Sequence, residues 1–290
     1  MSVTVKAFAK INLYLDVVGK RANGYHDIVS VMQAVSLCDT LTVAKTKQGI
    51  SLDTGGVLPA DDSNLIVRAA KRYFSARGTS CEEPFGVHIT LSKHIPMAAG
   101  LGGGSADAAA TLKALNRLDG DRFSLAELAA MGASIGADVP FCVLEGTALC
   151  EGIGEVLTPL HNRLRAALVL AVDGEGVSTP AAFAALDARY GDFQNFVSQV
   201  SPRPLIEALE KGDFSSTVSA LFNRFEEAVE PTRPAVTELK HILRDYGAAA
   251  VQMSGSGPTV FGLFADENDA KRAENRLKNA GVRAYMCQIL

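Results

Sequence analysis

Residues 96–107 read Pro-Met-Ala-Ala-Gly-Leu-Gly-Gly-Gly-Ser-Ala-Asp, with four glycines in the five positions from Gly100 to Gly104. Glycine opens the φ > 0 region and lets backbone approach a ligand closely with its N–H groups turned inward. The stretch that follows, SADAAATLKALNRL, is rich in strong helix formers, so a helix is predicted to begin where the glycines end. A helix N-terminus adds unsatisfied donors and partial positive charge, and phosphate is the natural guest of such a place. Two stricter signatures fail. No Lys completes a Walker G-x-x-x-x-G-K-[ST] pattern, and a G-x-G-x-x-G fingerprint counted from Gly100 meets Ser105 at its last position. That leaves a phosphate-binding loop of another kind, or a turn that happens to be rich in glycine.

Three further segments carry polar groups in suggestive places. In AKINLYLDVVGKRANGYHDI an amphipathic strand bearing Lys10 and Asn12 runs into a basic turn whose Asn23-Gly24 is a hairpin signal. In GADVPF, Asp138 sits in an apolar surround just beyond a predicted helix, with Pro140 expected to keep Val139 extended. In MSGSGPTVF, residues 253–261, a second glycine turn precedes a strand. Taken singly, each fits a plain structural role. Lys10 can be a solvated strand residue, Tyr25 can pack on the sheet, His26 can be a turn histidine, Asp138 can cap a local turn, and 253–261 can be a hairpin.

The chain has 290 residues, 48% of them hydrophobic and 21% charged, enough for one or two packed domains and far from a disordered composition. Its opening, MSVTVKAFAKINLYLDVV, alternates like a strand and carries Lys6 and Lys10, so neither a signal peptide nor a membrane anchor is expected. Nor does any apolar run reach the roughly twenty residues a spanning helix needs. A net charge of −4 with no basic tract offers nothing to nucleic acid. The five cysteines (Cys38, Cys81, Cys142, Cys150, Cys287) are scattered, odd in number and free of any C-x-x-C pair, which argues against a disulfide framework and a structural zinc site and reads them as small buried hydrophobes.

Turn and period signals divide residues 1–60 into four strands (VTVKAFA, INLYLDVVG, VSVMQAVSL, DTLTVAK). A helix over 64–76 follows, capped by Ser63 or Asp62 and stopped by Gly78, and then a strand in GVHITLSKHIP. After the glycine loop come a helix over 125–135 with a Ser124/Glu127 capping box and the strand-like GTALCEGIGEVL. Beyond a boundary near 158–165 lie the strand AALVLAV, helices over 179–189, 204–210, 217–229 and 234–246, the glycine turn, a helix over 267–280 and the strand RAYMCQIL. Strands and helices mix without strict alternation, so the fold class is α+β, with expected domains 1–160 and 161–290.

Together the four segments resemble the kinases named for galactokinase, homoserine kinase, mevalonate kinase and phosphomevalonate kinase, the GHMP kinases. The resemblance runs over nearly the whole chain. Within that family they are most similar to the branch that phosphorylates the 2-hydroxyl of 4-diphosphocytidyl-2-C-methyl-D-erythritol in the non-mevalonate isoprenoid pathway. The resemblance implies an N-terminal domain like ribosomal protein S5 domain 2, a ferredoxin-like C-terminal domain, and an active site in the cleft between them. It implies that Pro96, Met97, Ala98, Ala99, Gly100, Leu101, Gly102, Gly103, Gly104, Ser105 and Ala106 wrap the phosphates of ATP, with backbone amides and the helix N-terminus in place of the Walker lysine. Asp138 is implied as the base at the acceptor hydroxyl, and Lys10 as the group that orients it and offsets charge developing toward the γ-phosphate. Asn12, one strand alternation from Lys10, faces the methylerythritol hydroxyls; Tyr25 and His26 take the cytidine end, and Thr179 is a further substrate-side residue. Lys20 and Arg21 are candidates for the diphosphate.

Two positions depart from the family pattern. Asn23 stands where an Asp usually precedes Gly-Tyr-His, which keeps the turn and removes a charge. Gly103-Gly104 stand where mevalonate kinase-like members carry Ser-Ser, one of which helps hold magnesium. No protein metal ligand is therefore assigned, and Mg2+ is expected to arrive with ATP, bound by phosphate oxygens and water. The expected partner is a small molecule, with no nucleic acid and no membrane, for a cytoplasmic monomer or weak homodimer. A homoserine or mevalonate-type acceptor would not require the Lys10 and Gly-Tyr-His pair, and a dead nucleotide-binding regulator would have lost Lys10 or Asp138.

Overall fold

The computed structural model describes every residue except 79–84, 173, 175 and 195. Cys81 lies outside the described residues; Cys142, Cys150 and Cys287 are buried and Cys38 is half-buried. The chain divides into two compact units, one of residues Met1–Ala9, Leu37–Pro96 and Gly102–Glu145, the other of Lys10–Ser36, Met97–Leu101 and Gly146–Leu290.

Two long strands, β1 (Ser2–Lys20) and β2 (His26–Thr46), each contribute to both units. The sequence suggests four strands here. The expected breaks near Lys10 and Leu37 hold no Gly or Pro, and the two polar side chains at the first, Lys10 and Asn12, bond to each other inside the strand. In the first unit the end of β2 pairs antiparallel with β4 (Gly86–Ser92), and β3 (Ile50–Asp53) adds parallel to β4. The unit's helices are α1 (Leu65–Arg77), α2 (Gly103–Leu118), α3 (Leu125–Ala133) and α4 (Val139–Leu144), with α2 packed against α1 and α4, α3 against α4, and α1 reaching β3. Tyr73 and Phe74 of α1, Leu112 and Leu115 of α2, and Phe141 of α4 are all buried.

Local chemistry explains most boundaries and corrects two. Asn64, not Ser63 or Asp62, caps α1, its side chain accepting from the Ile66 N–H, because the Ser63 hydroxyl is already committed to Asp61 at 2.6 Å. Gly78, at φ 79°, ends the helix. The capping box at Ser124 and Glu127 is complete, both reciprocal bonds being formed. Val139 is helical rather than extended. Pro140 falls in the first turn of α4, where its missing N–H would have no intrahelical partner.

The second unit is built on an antiparallel sheet of β7 (Ala167–Val172), β9 (Ala250–Met253), β10 (Val260–Phe264) and β11 (Arg283–Gln288), in the order β11-β7-β10-β9. With helices between β7 and β9 and between β10 and β11, that is the β-α-β-β-α-β connectivity of a ferredoxin-like domain. Its helices are α5 (Thr179–Tyr190), α6 (Arg203–Lys211), α7 (Phe214–Ala220), α8 (Glu226–Val229), α9 (Pro234–Asp245) and α10 (Glu267–Asn279). The unit also holds the hairpin of β5 (Thr147–Glu151) and β6 (Val156–Pro159), β5 pairing with β2. A single helix over 217–229 is not what forms. The chain leaves helix at Leu221 so that β8 (Phe222–Asn223) pairs parallel with β1, and Asn223 donates to the carbonyls of Met253 and Gly255 at 2.7 and 2.9 Å. Helix propensity yields there to tertiary hydrogen bonds. Leu15, Val17 and Ile28 from β1 and β2 belong to this unit's core, with Val169, Leu239, Val260 and Leu277.

Candidate active site

The glycine loop begins with backbone that few side chains could accept. Ala98, Gly100 and Gly102 all have positive φ (49°, 77° and 66°), alternating with Ala99 and Leu101, which are buried. At Gly100 a Cβ would stand 2.1 Å from the carbonyl oxygen of Ser254, so only glycine fits. The loop is seated by the turn between β9 and β10: the Ser254 hydroxyl donates to the Gly100 carbonyl at 3.0 Å and the Thr259 N–H to the Ala99 carbonyl at 3.4 Å. The turn of residues 254–259 is thus a hairpin, and it also holds the loop.

Gly102 is the N-cap of α2 and supplies no side-chain acceptor to the first N–H groups of that 16-residue helix. No acid sits in its first turn. These donors and the positive end of the helix dipole fall at Gly103, Gly104 and Ser105, while the Ala106 N–H already bonds the Gly102 carbonyl at 2.9 Å. A cation stands beside them: the Cβ position of Gly103 is 3.0 Å from Nζ of Lys93. Lys93 bonds to two buried carboxylates, Asp39 at 2.5 Å and Asp107 at 2.7 Å, while the other oxygen of Asp39 accepts from the His94 and Ile95 N–H groups. Burial pushes the Asp107 carboxyl up to about 7 against the pull of Lys93. Its Oδ1 is buried without a hydrogen-bond partner among the described residues.

Asp138 directly precedes α4 in the same unit as α2 and is half-buried. Its side chain makes no capping bond, so the turn-capping role is not the one it plays. The GADVPF turn lies against the start of α2, since a Cβ at Gly136 would be 3.8 Å from the Ser105 hydroxyl. Gly132 admits this packing; a Cβ there would meet Val139 at 2.7 Å.

In the other unit Lys10 is 5% exposed, and its ammonium donates to Oδ1 of Asn12 at 2.8 Å. Asn12 donates in turn to the Ser30 hydroxyl at 2.8 Å, which donates to the Tyr14 carbonyl at 2.7 Å. The backbone N–H of Lys10 bonds the Leu101 carbonyl at 3.0 Å, joining this strand to the loop. Lys10 and Asn12 therefore share a face, as their spacing predicts, and stand at the side of the loop's seat.

The turn between β1 and β2 exposes Tyr25 at 59% and buries His26. His26 stacks on Phe183 of α5 with centroids 4.4 Å apart and planes at 15°, and its Nε2 meets Asp187 of the same helix at 2.7 Å. Lys20 bonds to Asp187 and Asp192, and Arg21 to Asp27, so carboxylates of the chain hold both basic residues that the sequence offers to a diphosphate. Thr179, the first residue of α5, bonds the Ser256 hydroxyl at 2.9 Å, which brings it to the turn that seats the loop. Sequence reasoning missed Ser30, Lys93, Asp107, Phe183 and Asp187. One signal was available: Thr179, Phe183 and Asp187 recur every four residues and so line one face of a helix.

The sequence pattern of the GHMP kinases N terminal domain matches residues 64–146, and that of the GHMP kinases C terminal domain matches residues 205–283. A 4-diphosphocytidyl-2-C-methyl-D-erythritol kinase of Caldicellulosiruptor saccharolyticus is 41% identical over 280 residues, covering 94% of this chain and 92% of the relative. One of Syntrophus aciditrophicus is 41% identical with 96% of each covered. A crystal structure of 4-(cytidine 5'-diphospho)-2C-methyl-D-erythritol kinase superposes with a TM-score of 0.83 at 34% identity, over 99% of both chains. A homoserine kinase from Cytophaga hutchinsonii, at 20% identity and TM-score 0.77, shares the fold. With relatives this similar along almost their whole length and both domain patterns in place, the chain belongs to the GHMP kinases.

Proposed function

We propose that this kinase transfers the γ-phosphoryl group of ATP to the 2-hydroxyl of 4-diphosphocytidyl-2-C-methyl-D-erythritol, in the non-mevalonate route to isoprenoid precursors. Relatives about 40% identical along nearly the whole chain bear the name of that kinase. The observation that carries the reading from the molecule is the loop's seat: positive-φ backbone held by the 254–259 turn, leading into a helix N-terminus that no side chain caps.

Phosphoryl transfer asks mainly for alignment and charge stabilisation. Residues 96–106 hold the ATP phosphates, Lys10 offsets charge developing on the transferred group, and Asp138, whose turn lies at the start of α2, receives the proton of the acceptor hydroxyl. Asn12 bonds the polyol hydroxyls, Tyr25 and His26 hold the cytidine end, and Thr179 is a further substrate-side residue. Mg2+ enters with ATP on phosphate oxygens and water. Near the loop, Asp39 and Asp107 each give one carboxylate oxygen to Lys93. The enzyme acts in the cytoplasm on a small molecule, as a monomer or weak homodimer, without nucleic acid or membrane. Among the described residues no helix is long and apolar enough to cross a membrane.

The test incubates the protein with ATP, magnesium and the cytidyl compound, with homoserine and mevalonate in parallel, following ADP and phosphorus NMR of the product. A new phosphomonoester on the cytidyl compound alone is expected. Transfer only to another acceptor sinks the substrate assignment. Asp138→Asn is expected to lower turnover at least about a hundredfold; near-normal turnover removes Asp138 from the role of base.

A further inference from the structure

We propose that Asp187 is a positioning residue for the nucleoside end of the substrate: it fixes the imidazole of His26 in its Nε2–H form and clamps the ring against Phe183 on α5. The inference rests on the reading that His26 belongs to the cytidine side.

A carboxylate can only accept hydrogen bonds, so the 2.7 Å contact from Nε2 of His26 to Oδ1 of Asp187 requires the proton on Nε2. The remaining ring nitrogen, Nδ1, is then the atom left to meet a ligand. Burial works to raise the Asp187 carboxyl, but hydrogen bonds from Lys20 and His26 outweigh it and hold it below the ordinary range, so the acceptor stays ionised. Its second oxygen takes Lys20 at 2.8 Å, and Lys20 also bonds Asp192 at 2.5 Å. The ring has little freedom left. One face lies on Phe183, and Phe193 meets it edge-on at 5.8 Å and 75°. Asp187 thus ties both ends of the β1–β2 turn, Lys20 and His26, to the helix whose first residue is Thr179. Tyr25 is exposed on that turn, together with Ala22, Asn23 and Gly24. Binding a nucleoside to a turn ordered in advance avoids ordering it at the moment of binding.

Two measurements test this. Nitrogen-15 NMR of the unmodified protein reads the His26 tautomer directly: Nε2–H is expected, and an Nδ1–H ring overturns the proposal. In parallel, Asp187→Ala is expected to weaken binding of cytidine diphosphate, and raise KM for the cytidyl substrate, at least about fivefold while KM for ATP and kcat stay within about twofold. In a His26→Ala background the same substitution should add clearly less than it costs alone, because it acts mainly through the ring and only the tie to Lys20 is left to lose. An equal further loss in that background, or a loss spread over ATP and kcat as well, overturns the positioning role. If His26→Ala leaves cytidine diphosphate binding untouched, the nucleoside reading itself is overturned; if His26→Ala weakens binding and Asp187→Ala does not, only the role of Asp187 is.

Discussion

Three charged side chains, Asp39, Lys93 and Asp107, meet inside the first unit beside the start of α2, and they do not balance. Two carboxylates share one ammonium, and Oδ1 of Asp107 has no hydrogen-bond partner among the described residues. Desolvation disfavours the ionised form of Asp107 more than Lys93 favours it, which is why its carboxyl titrates near 7 rather than at the ordinary carboxylate value. The sign for stability follows from the proton. A folded-state pKa above the unfolded one means the folded protein binds the proton more tightly, so this stabilisation is complete below the unfolded value of about 3.9 and is lost as pH rises through about 7. Asp107→Asn replaces the carboxyl with a neutral group of the same shape. Its melting temperature relative to the parent is expected to rise from pH 5 to about pH 7 and to level off above that in calorimetry. A difference that stays flat over that range would mean Asp107 is ionised throughout.

The elements show where local rules hold and where they give way. The start of α1 depends on Asn64, whose side chain accepts from the Ile66 N–H, while Ser63 serves the turn before it. Asn64→Ala is expected to cost about 1 kcal/mol in urea unfolding and Ser63→Ala clearly less; the reverse order would restore Ser63 as the cap. The capping box of α3, the glycine that ends α1 and the passage from glycine loop to helix were legible in the sequence because each is settled within a few residues, although α2 starts at Gly103, two residues before the expected Ser105. So were Lys10 and Asn12 as a pair, since strand period alone puts them on one face. The break of α7 at Leu221 was not legible, for Asn223 is drawn into β8 by carbonyls 30 and 32 positions away. Nor was the clamp on His26, whose partner Asp187 lies 161 positions along the chain. Spacing on α5 marks a face, but no sequence pattern says which strand turn that face will meet.

For the molecule as a whole, a cut near residue 160 matches the change in sequence pattern but not the way the second unit is made. That unit draws Leu15, Val17 and Ile28 from the first thirty residues into its core, each buried side chain contributing about 1.5–3 kcal/mol. Arg224 depends on the same strand: its guanidinium bonds Asp16 at 2.7 Å, and its N–H bonds the Leu15 carbonyl at 2.8 Å. Without Asp16 the guanidinium keeps Glu227, at 3.1 Å, as its carboxylate partner and loses the shorter of its two ion pairs. β8 would lose β1, the strand with which it pairs. These losses together are comparable to the whole stability of an ordinary domain, about 5–15 kcal/mol. A fragment of residues 161–290 is therefore expected to show no cooperative urea transition by circular dichroism, whereas the full chain unfolds cooperatively. A fragment that melts sharply by itself would show that its own sheet and helices suffice, and that the residues lent by β1 and β2 serve the active site rather than the fold.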